Sequence, residues 1–277
     1  MDRSDLAKRM KEYYETVPKT KLMRRTPVAI RVDGKSFHTF TRGFQKPFDE
    51  VLVKTMQETM KYLCENIQGC VFGYTQSDEI TLILIDYQEL DTDAWFDYEV
   101  QKLCSITASM ATMAFNKFFA RNCNLWKNKT FPTNYLGHLD APITPDDVTL
   151  LNAYNNALEK GAMFDARCFN IPKEEVTNLV YWRQIDASRN SVQMYGQANF
   201  PQEELEYKTC NMIQDMLMTQ KGINWNDLPT HLKRGSCCIK FINTTNEDHR
   251  SGWVIDKEIP MFKGEGREYI EKLINFE

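Results

Sequence analysis

Residues 27–34 read Pro-Val-Ala-Ile-Arg-Val-Asp-Gly, and the rest of the predicted sheet can be built outward from them. The β-branched run that ends at Val32 predicts a buried strand, and the Asp33-Gly34 pair predicts a tight turn directly after it. Such a strand carries a carboxylate to its own end. Asp33 is therefore a candidate site residue.

The elements that follow the first strand come in a clear order. Asp49 is suited to cap a helix that ends near Gly69, and the turn Thr75–Glu79 joins two strand-like runs into a hairpin with acidic residues at its tip. A long helix over Ala94–Phe119 and a strand over Ala162–Ile171 come next. Irregular chain with one short helix is predicted between them.

This order of strand, helix, hairpin, helix and strand predicts an α+β fold. It is the ferredoxin-like, split βαβ arrangement, an antiparallel sheet with two helices on one face. We place a boundary near Pro172, so that residues 1–172 form one domain and residues 173–277 a mostly helical α+β region. In the second region we predict helices around Glu174–Tyr195 and Glu203–Gln220 and a strand over Ser236–Ile242.

The composition indicates a globular protein: 277 residues, 42% hydrophobic, with a net charge of -4. A uniformly basic surface is therefore excluded, and any nucleic acid has to meet local patches. The eight cysteines include no Cys-x-x-Cys pair, and His138, His231 and His249 have no ligand-like spacing, so we predict reduced thiols and no zinc site. The charged N-terminus and the lack of a long apolar run predict a cytoplasmic protein without membrane contact.

Two acidic residues that are distant in sequence meet in the predicted fold. If the first strand and the hairpin lie side by side, Asp33 and Asp78 converge at one edge of the sheet. Two carboxylates there can hold hard cations that polarise a phosphoryl oxygen, and Mg²⁺ is favoured because it prefers oxygen ligands. The alternative is that Asp33-Gly34 is an ordinary turn and Asp78 part of a solvated hairpin tip.

The residues after Asp33 suit a phosphate group. Gly34 permits close backbone approach, and the successive amides up to His38 can surround a triphosphate. Lys35, Lys46 and Lys102 are candidates to supply positive charge.

Several motifs in order carry a resemblance to a known family. Residues 27–38 are followed by Lys46-Pro47-Phe48-Asp49, Gln76-Ser77-Asp78-Glu79, Phe164-Asp165-Ala166-Arg167, Trp182-Arg183-Gln184-Ile185-Asp186 and Lys233-Arg234-Gly235. Over essentially the whole chain they resemble the tRNA(His) guanylyltransferase family of 3′-to-5′ RNA polymerases, in particular its bacterial, archaeal and phage-type branch.

The resemblance implies a palm-like catalytic domain and a magnesium-dependent nucleotidyltransferase. Two magnesium ions would be held by Asp33, the Gly34 carbonyl and Asp78, with Glu79 as a further catalytic residue supporting the site. ATP, GTP or another NTP would contact Asp33, Gly34, Lys35, Ser36, Phe37, His38, Lys46, Ser77, Asp78 and Lys102. The implied reaction is activation of an RNA 5′-monophosphate with ATP, followed by attack of the 3′-hydroxyl of an incoming nucleotide.

The resemblance also implies tRNA as the partner, a C-terminal region that contacts tRNA, and a homotetramer whose subunits share it. Arg183, Arg189, Asn190, Lys233 and Arg234 are our candidates for RNA binding, because phosphate contacts need a local basic surface. Trp182, on the same predicted helix, is expected in the core.

Two departures from the family pattern bear on the substrate. Residues 188–191 read Ser-Arg-Asn-Ser where eukaryotic members carry His-Ile-Asn-Asn, and Tyr98 stands where a basic residue is expected. We therefore expect template-dependent repair of tRNA 5′ ends, with guanosine addition to tRNA(His) as the other option. Two alternative functions remain: a palm-type nucleotide cyclase that uses the same two acids, and a non-catalytic RNA-binding module.

Overall fold

The fold is known from a computed structural model, which describes residues 5–132, 143–242 and 251–275. In chain order its strands are β1 (Val28–Gly34), β2 (Cys70–Gln76), β3 (Glu79–Leu84), β4 (Phe164–Asn170), β5 (Ser236–Ile242) and β6 (Ser251–Asp256). They form one sheet in the order β4-β1-β3-β2-β5-β6, and every neighbouring pair is antiparallel.

The described part of the chain also contains ten α-helices. They are α1 (Asp5–Met10), α2 (Phe37–Phe40), α3 (Glu50–Asn66), α4 (Val100–Thr130), α5 (Pro145–Lys160), α6 (Lys173–Asn199), α7 (Gln202–Leu205), α8 (Cys210–Lys221), α9 (Thr230–Arg234) and α10 (Glu268–Ile274). None of the helices in the described residues is long and apolar enough to cross a bilayer.

The predicted fold class is confirmed. The elements β1, α3, β2, β3, α4 and β4 follow one another as expected, and their strands take the order β4-β1-β3-β2 of a ferredoxin-like sheet. The Asp49 carboxylate caps α3 by accepting from the Leu52 amide at 2.9 Å. The irregular stretch predicted between the long helix and β4 is shorter than expected, because α4 continues to Thr130 and α5 has 16 residues. Residues 133–142, with His138, and His249 further on lie outside the described residues.

Alternation along β1 divides the core into two layers. Val28, Ile30 and Val32 are fully buried in the cluster that includes side chains of α3 and α4. Ala29 belongs to the other cluster, with Val180 of α6 among others. Because side chains alternate, Arg31 and Asp33 lie on the same face as Ala29.

The inward face of α4 differs from the predicted one. Ile106 and Met113 are exposed, whereas Thr107, Ala111 and Phe115 are buried at a spacing of four residues. Since both sets of positions follow helical periodicity, the pattern alone did not separate them.

The C-terminal region adds strands to the same sheet and helices that pack against it. β5 pairs with β2, and α6 and α10 cover the face that α3 and α4 leave open. The sheet is therefore continuous across Pro172. The helix predicted over residues 203–220 is two helices, α7 and α8, separated by Tyr207 with φ +59°. The sequence did not predict β6 or α10.

A close approach between β2 and the start of β5 requires glycine at position 235. Gly235 has φ +82°, and a Cβ there would lie 2.5 Å from the Thr75 carbonyl oxygen and 2.7 Å from the Tyr74 hydroxyl. We expect Gly235→Ala to lower the free energy of unfolding by about 3 kcal/mol or more, from backbone strain plus overpacking. Chemical denaturation measures this loss.

Gly222→Ala is the matched control. Gly222 ends α8 with φ +67° and nothing within 4 Å of an added Cβ, so only backbone strain of about 1 kcal/mol is expected. Equal losses in the two variants would contradict the steric account of Gly235.

Candidate active site

The β2–β3 hairpin brings Asp33 and Asp78 together, as predicted. Asp33 pairs across the sheet with Glu79, and the Gly34 amide donates to the Asp78 carbonyl oxygen at 3.1 Å. The turn needs a left-handed residue at Ser77, which has φ +50°. The Ser77 hydroxyl donates to Oδ1 of Asp78 at 3.0 Å and so orients that carboxylate.

The two carboxylates are only weakly compensated. Burial, followed by the charges of Glu79 and Asp165, raises the pKa of Asp33. Burial also raises the pKa of Asp78, against the opposing effect of the Ser77 hydrogen bond. Among the described residues, the cation nearest to Asp33 is Arg167, whose Nη2 lies 3.9 Å from Oδ2. Negative charge therefore accumulates here, which favours a bound cation.

The donor atoms fit magnesium. Asp33 and Asp78 offer carboxylate oxygens, the ligands that hard cations prefer. Within residues 5–132, 143–242 and 251–275, no group of three or more His, Cys, Asp or Glu side chains is placed to hold a metal ion. The remaining ligands would be substrate phosphates and water, as is usual for magnesium. The expected ligand role of the Gly34 carbonyl stays a prediction.

Glu79 has a different environment from its neighbour Asp78. Its carboxylate accepts from Nε and Nη2 of Arg183, both at 2.7 Å, and from Nε and Nη2 of Arg31 at 3.2 and 2.8 Å. The side chain is buried. Two arginines thus hold the Glu79 carboxylate in place, and its expected catalytic role stays a prediction.

Arg183 was expected at the RNA surface, and the structure corrects this too. It is 7% exposed and also donates to Asp186 at 2.9 Å, so its guanidinium is occupied by carboxylates. Lys233 is likewise buried, and its ammonium donates to the Asn226 carbonyl. Arg189 is exposed and Arg234 half-buried, and both remain candidates for phosphate contact.

The loop after Asp33 offers fewer free amides than predicted. The amides of Gly34 and Lys35 already donate to the carbonyls of Asp78 and Met163. Those of Ser36, Phe37 and His38 have no partner among the described residues, so any phosphate contact by backbone amides falls to them.

The Phe37 side chain does not reach the site. It is buried among Phe40, Phe115 and Phe164, with ring centroids 5.1 to 5.4 Å away. Only its backbone can contact nucleotide, while the side chains of Lys35 and His38 are exposed. The glycine at position 34 is explained by the same ring, because a Cβ there would collide with Phe37.

A cavity of about 190 Å³ adjoins the hairpin tip. Its walls come from the start of α3, from the hairpin and from α6 and α9, and they include Lys46, Phe48, Ser77, Asn190 and His231. The predicted residues Lys46, Ser77 and Asn190 thus share one cavity. The sequence did not predict the cavity itself, because its walls come from four separate segments.

Lys102 does not lie with the other predicted nucleotide contacts. It lines a depression with Lys21, Arg24 and Asp97, and Arg24 in turn donates to Asp86 at 2.6 Å. Asp86 follows the C-terminal end of β3, whereas Asp78 precedes its N-terminal end. Six residues of strand separate these ends by about 20 Å. In the single chain Lys102 is therefore remote from Asp33 and Asp78.

Sequence reasoning missed two residues beside the carboxylates. Arg31 alternates onto the same face as Asp33, a signal that the strand pattern already contained. Trp182, expected in the core, is instead exposed next to Arg31. Hydrophobic periodicity does not distinguish a tryptophan in the core from an exposed tryptophan on the same helix.

Comparisons with known proteins agree with this geometry. A family model described as tRNAHis guanylyltransferase matches residues 7–172. The tRNA(His) guanylyltransferase of Kluyveromyces lactis is 28% identical over 225 residues, which is 76% of this chain and 81% of that protein. That of Saccharomyces cerevisiae is 27% identical over 224 residues, with 76% and 80% covered.

Solved structures extend the similarity to the C-terminal region. A bacterial tRNA(His) guanylyltransferase-like protein in complex with ATP superposes with a TM-score of 0.75 at 40% identity, covering 98% of this chain and 99% of that one. A bacterial protein of the same description in complex with GTP gives 0.75 at 36% identity, covering 99% and 100%. Since the family model covers more than half of the sequence, the chain belongs to the tRNA(His) guanylyltransferase family.

Proposed function

We propose that this protein is a magnesium-dependent 3′-to-5′ nucleotidyltransferase that adds nucleotides to the 5′ end of tRNA. The observation that supports this most directly is the pairing of Asp33 with the β2–β3 hairpin. It sets two weakly compensated carboxylates beside a cavity of nucleobase size. A cyclase would use the same acids, but it has no need of a C-terminal RNA platform.

We infer that the NTP lies along the loop and the cavity. Its base would enter the cavity, Lys46 would meet phosphate at the cavity wall, and the amides of Ser36, Phe37 and His38 would donate to phosphate oxygens. The bacterial relatives in complex with ATP and with GTP support a purine triphosphate at this site.

The chemistry asks mainly for positioning and charge neutralisation. Asp33, Asp78 and the Gly34 carbonyl would hold two magnesium ions, which when bound polarise phosphoryl oxygens and lower the pKa of an attacking hydroxyl. In activation, the RNA 5′-monophosphate would attack the α-phosphate of ATP and displace pyrophosphate. The 3′-hydroxyl of the incoming nucleotide would then attack the RNA 5′-phosphate, displace AMP and release its proton to solvent. Both steps are phosphoryl transfers, and neither needs a strong side-chain base. Ser77 orients Asp78, and Arg31 with Arg183 fixes Glu79 beside it.

For the RNA we propose tRNA, which the names of the relatives support. Among the residues predicted from the sequence to bind RNA, Arg189 and Arg234 are the accessible basic ones. We also propose a homotetramer. The apolar residues of the N-terminal segment, including Leu6, Tyr13 and Val17, are exposed in the single chain and are suited to subunit contacts.

The carboxylates can be tested by Asp33→Asn and Asp78→Asn. We expect wild-type protein with Mg²⁺, labelled NTP and a 5′-truncated tRNA to give 5′ extension, and each variant to give none. Without metal the melting temperature should stay the same or rise, because the raised pKa values show that burial and like charge disfavour both carboxylates in their ionised form. Stabilisation by added Mg²⁺ should be lost.

Asp215→Asn, an exposed acid on α8, is the control and should behave as wild type. A cyclic nucleotide as the wild-type product would instead favour the cyclase, and near-normal turnover by either site variant would exclude the metal assignment.

Lys46→Ala tests the triphosphate contact. Loss of a charge-assisted contact should cost about 1.5–3 kcal/mol, roughly tenfold to a hundredfold in kcat/KM for NTP, with little change in tRNA binding. Lys102→Ala is the matched control, because Lys102 lies at the other end of β3. If Lys46→Ala weakens tRNA affinity alone, Lys46 belongs to the RNA surface.

The segment 188–191 supports templated repair. Ser191 is buried and accepts from the Trp225 indole at 3.0 Å, and the Ser188 hydroxyl donates to the Gln184 carbonyl. Both hydroxyls thus have internal partners, and serine stands at the position of a histidine that is suited to hold an untemplated nucleotide. Base pairing with a template supplies that positioning instead.

We therefore expect 5′-truncated tRNAs to be filled by Watson–Crick choice and untemplated guanosine to be added poorly. The measurement compares kcat/KM for a truncated tRNA with each of the four opposing bases and for full-length tRNA(His). A preference for guanosine regardless of the opposing base would identify a tRNA(His) identity enzyme.

A further inference from the structure

An aromatic side chain lies open to solvent beside the candidate catalytic carboxylates. Trp182 on α6 is 52% exposed, although the next two residues, Arg183 and Gln184, are buried. Tryptophan is a strongly buried residue on average, so a half-exposed indole next to a reaction site suits a ligand.

Two guanidinium groups hold this indole. Cζ of Arg183 lies 4.6 Å from the ring centroid and Cζ of Arg31 lies 5.4 Å from it, within the range of cation–π attraction. Both groups are themselves fixed by Glu79. The ring therefore needs little ordering before it binds a flat partner.

The position of the ring relative to the carboxylates is set by β1. Arg31 and Asp33 lie on the same face two residues apart, which is about 7 Å along a strand. Arg167 on β4 pairs with Arg31 in register, and its exposed guanidinium donates to Asp165 at 3.1 Å and lies 3.9 Å from Asp33. β4 is an edge of the sheet in the described part, so this side is open.

The cavity does not include Trp182. It is bordered by the hairpin, by α3, by α9 and by the later part of α6, whereas Trp182 lies earlier on α6, next to Arg31 of β1. If the NTP fills the cavity, the phosphate that reacts with it has to approach from the open side. A base attached to that phosphate then comes within reach of the indole.

We propose that Trp182 is a stacking platform for the nucleobase of the RNA 5′-terminal nucleotide, with Arg167 meeting an adjacent phosphate. This rests on the proposed function. RNA ends are recognised by stacking on aromatic rings and by arginine contacts to phosphate, and both groups are present. A protein partner would need a large apolar patch, but the groups that contact the indole are the guanidinium groups of Arg31 and Arg183.

The test is a double-mutant cycle that combines a substitution in the protein with the removal of a base from the RNA. Trp182→Leu keeps an apolar side chain without the π face, and Trp182→Phe keeps a smaller ring. The RNA is a 5′-monophosphorylated truncated tRNA, either intact or abasic at its 5′-terminal nucleotide. We expect Trp182→Leu to raise KM for intact RNA about tenfold to a hundredfold, with KM for NTP and the melting temperature unchanged, and Trp182→Phe to recover most of the loss.

The abasic RNA should bind wild-type protein as weakly as intact RNA binds Trp182→Leu. Combining the protein substitution with the abasic RNA should raise KM for RNA no further than either change alone. Tyr207→Ala, which removes a 97% exposed aromatic residue on another segment, is the control and should leave the KM for RNA unchanged. Additive losses, or an unchanged KM in Trp182→Leu while wild-type protein extends tRNA, would overturn the platform. Failure of wild-type protein to extend any RNA would instead refute the proposed function.

Discussion

Glu79 accepts hydrogen bonds from Arg31 and Arg183 where little water reaches, and three elements are joined at that point. A buried charge is tolerated only with its partners in place, so β1, β3 and α6 are constrained together. Asp33 follows Arg31 by two residues, and Asp78 immediately precedes Glu79. The same contact therefore sets the distance between the two carboxylates that we assign to metal binding.

Neighbouring acids in this site differ because of what surrounds them. Glu79 is paired with two arginines at hydrogen-bond distance, whereas Asp33 and Asp78 are left with raised pKa values and with Arg167 at 3.9 Å from Asp33. A compensated acid stabilises the fold, and an uncompensated pair attracts a cation. The site thus combines a rigid cluster of Glu79 and two arginines with two carboxylates whose negative charge is poorly compensated. This suits a reaction that depends on positioning.

The sequence predicted the parts of this site that lie on continuous segments. The strand before Asp33, the Asp49 cap and the hairpin before Glu79 all have local signals, and their order was enough for the sheet topology. The roles of Arg183 and Lys102 depended on which distant residues they meet, and no local pattern contains that. The exposed face of α4 was misjudged for another reason. Small buried residues such as Ala111 carry only a weak hydrophobic signal in the sequence.

The pairing of β5 with β2 also has a consequence for synthesis of the protein. Cys237 pairs with Tyr74, so β2, the edge strand of the order β4-β1-β3-β2, gains its second neighbour only after about 160 more residues have been synthesised. Until then one edge of β2 has unpaired amides and carbonyls, the kind of edge that recruits strands from other chains. That edge is covered only when β5 pairs with it, so the palm segment made first does not have a complete sheet of its own.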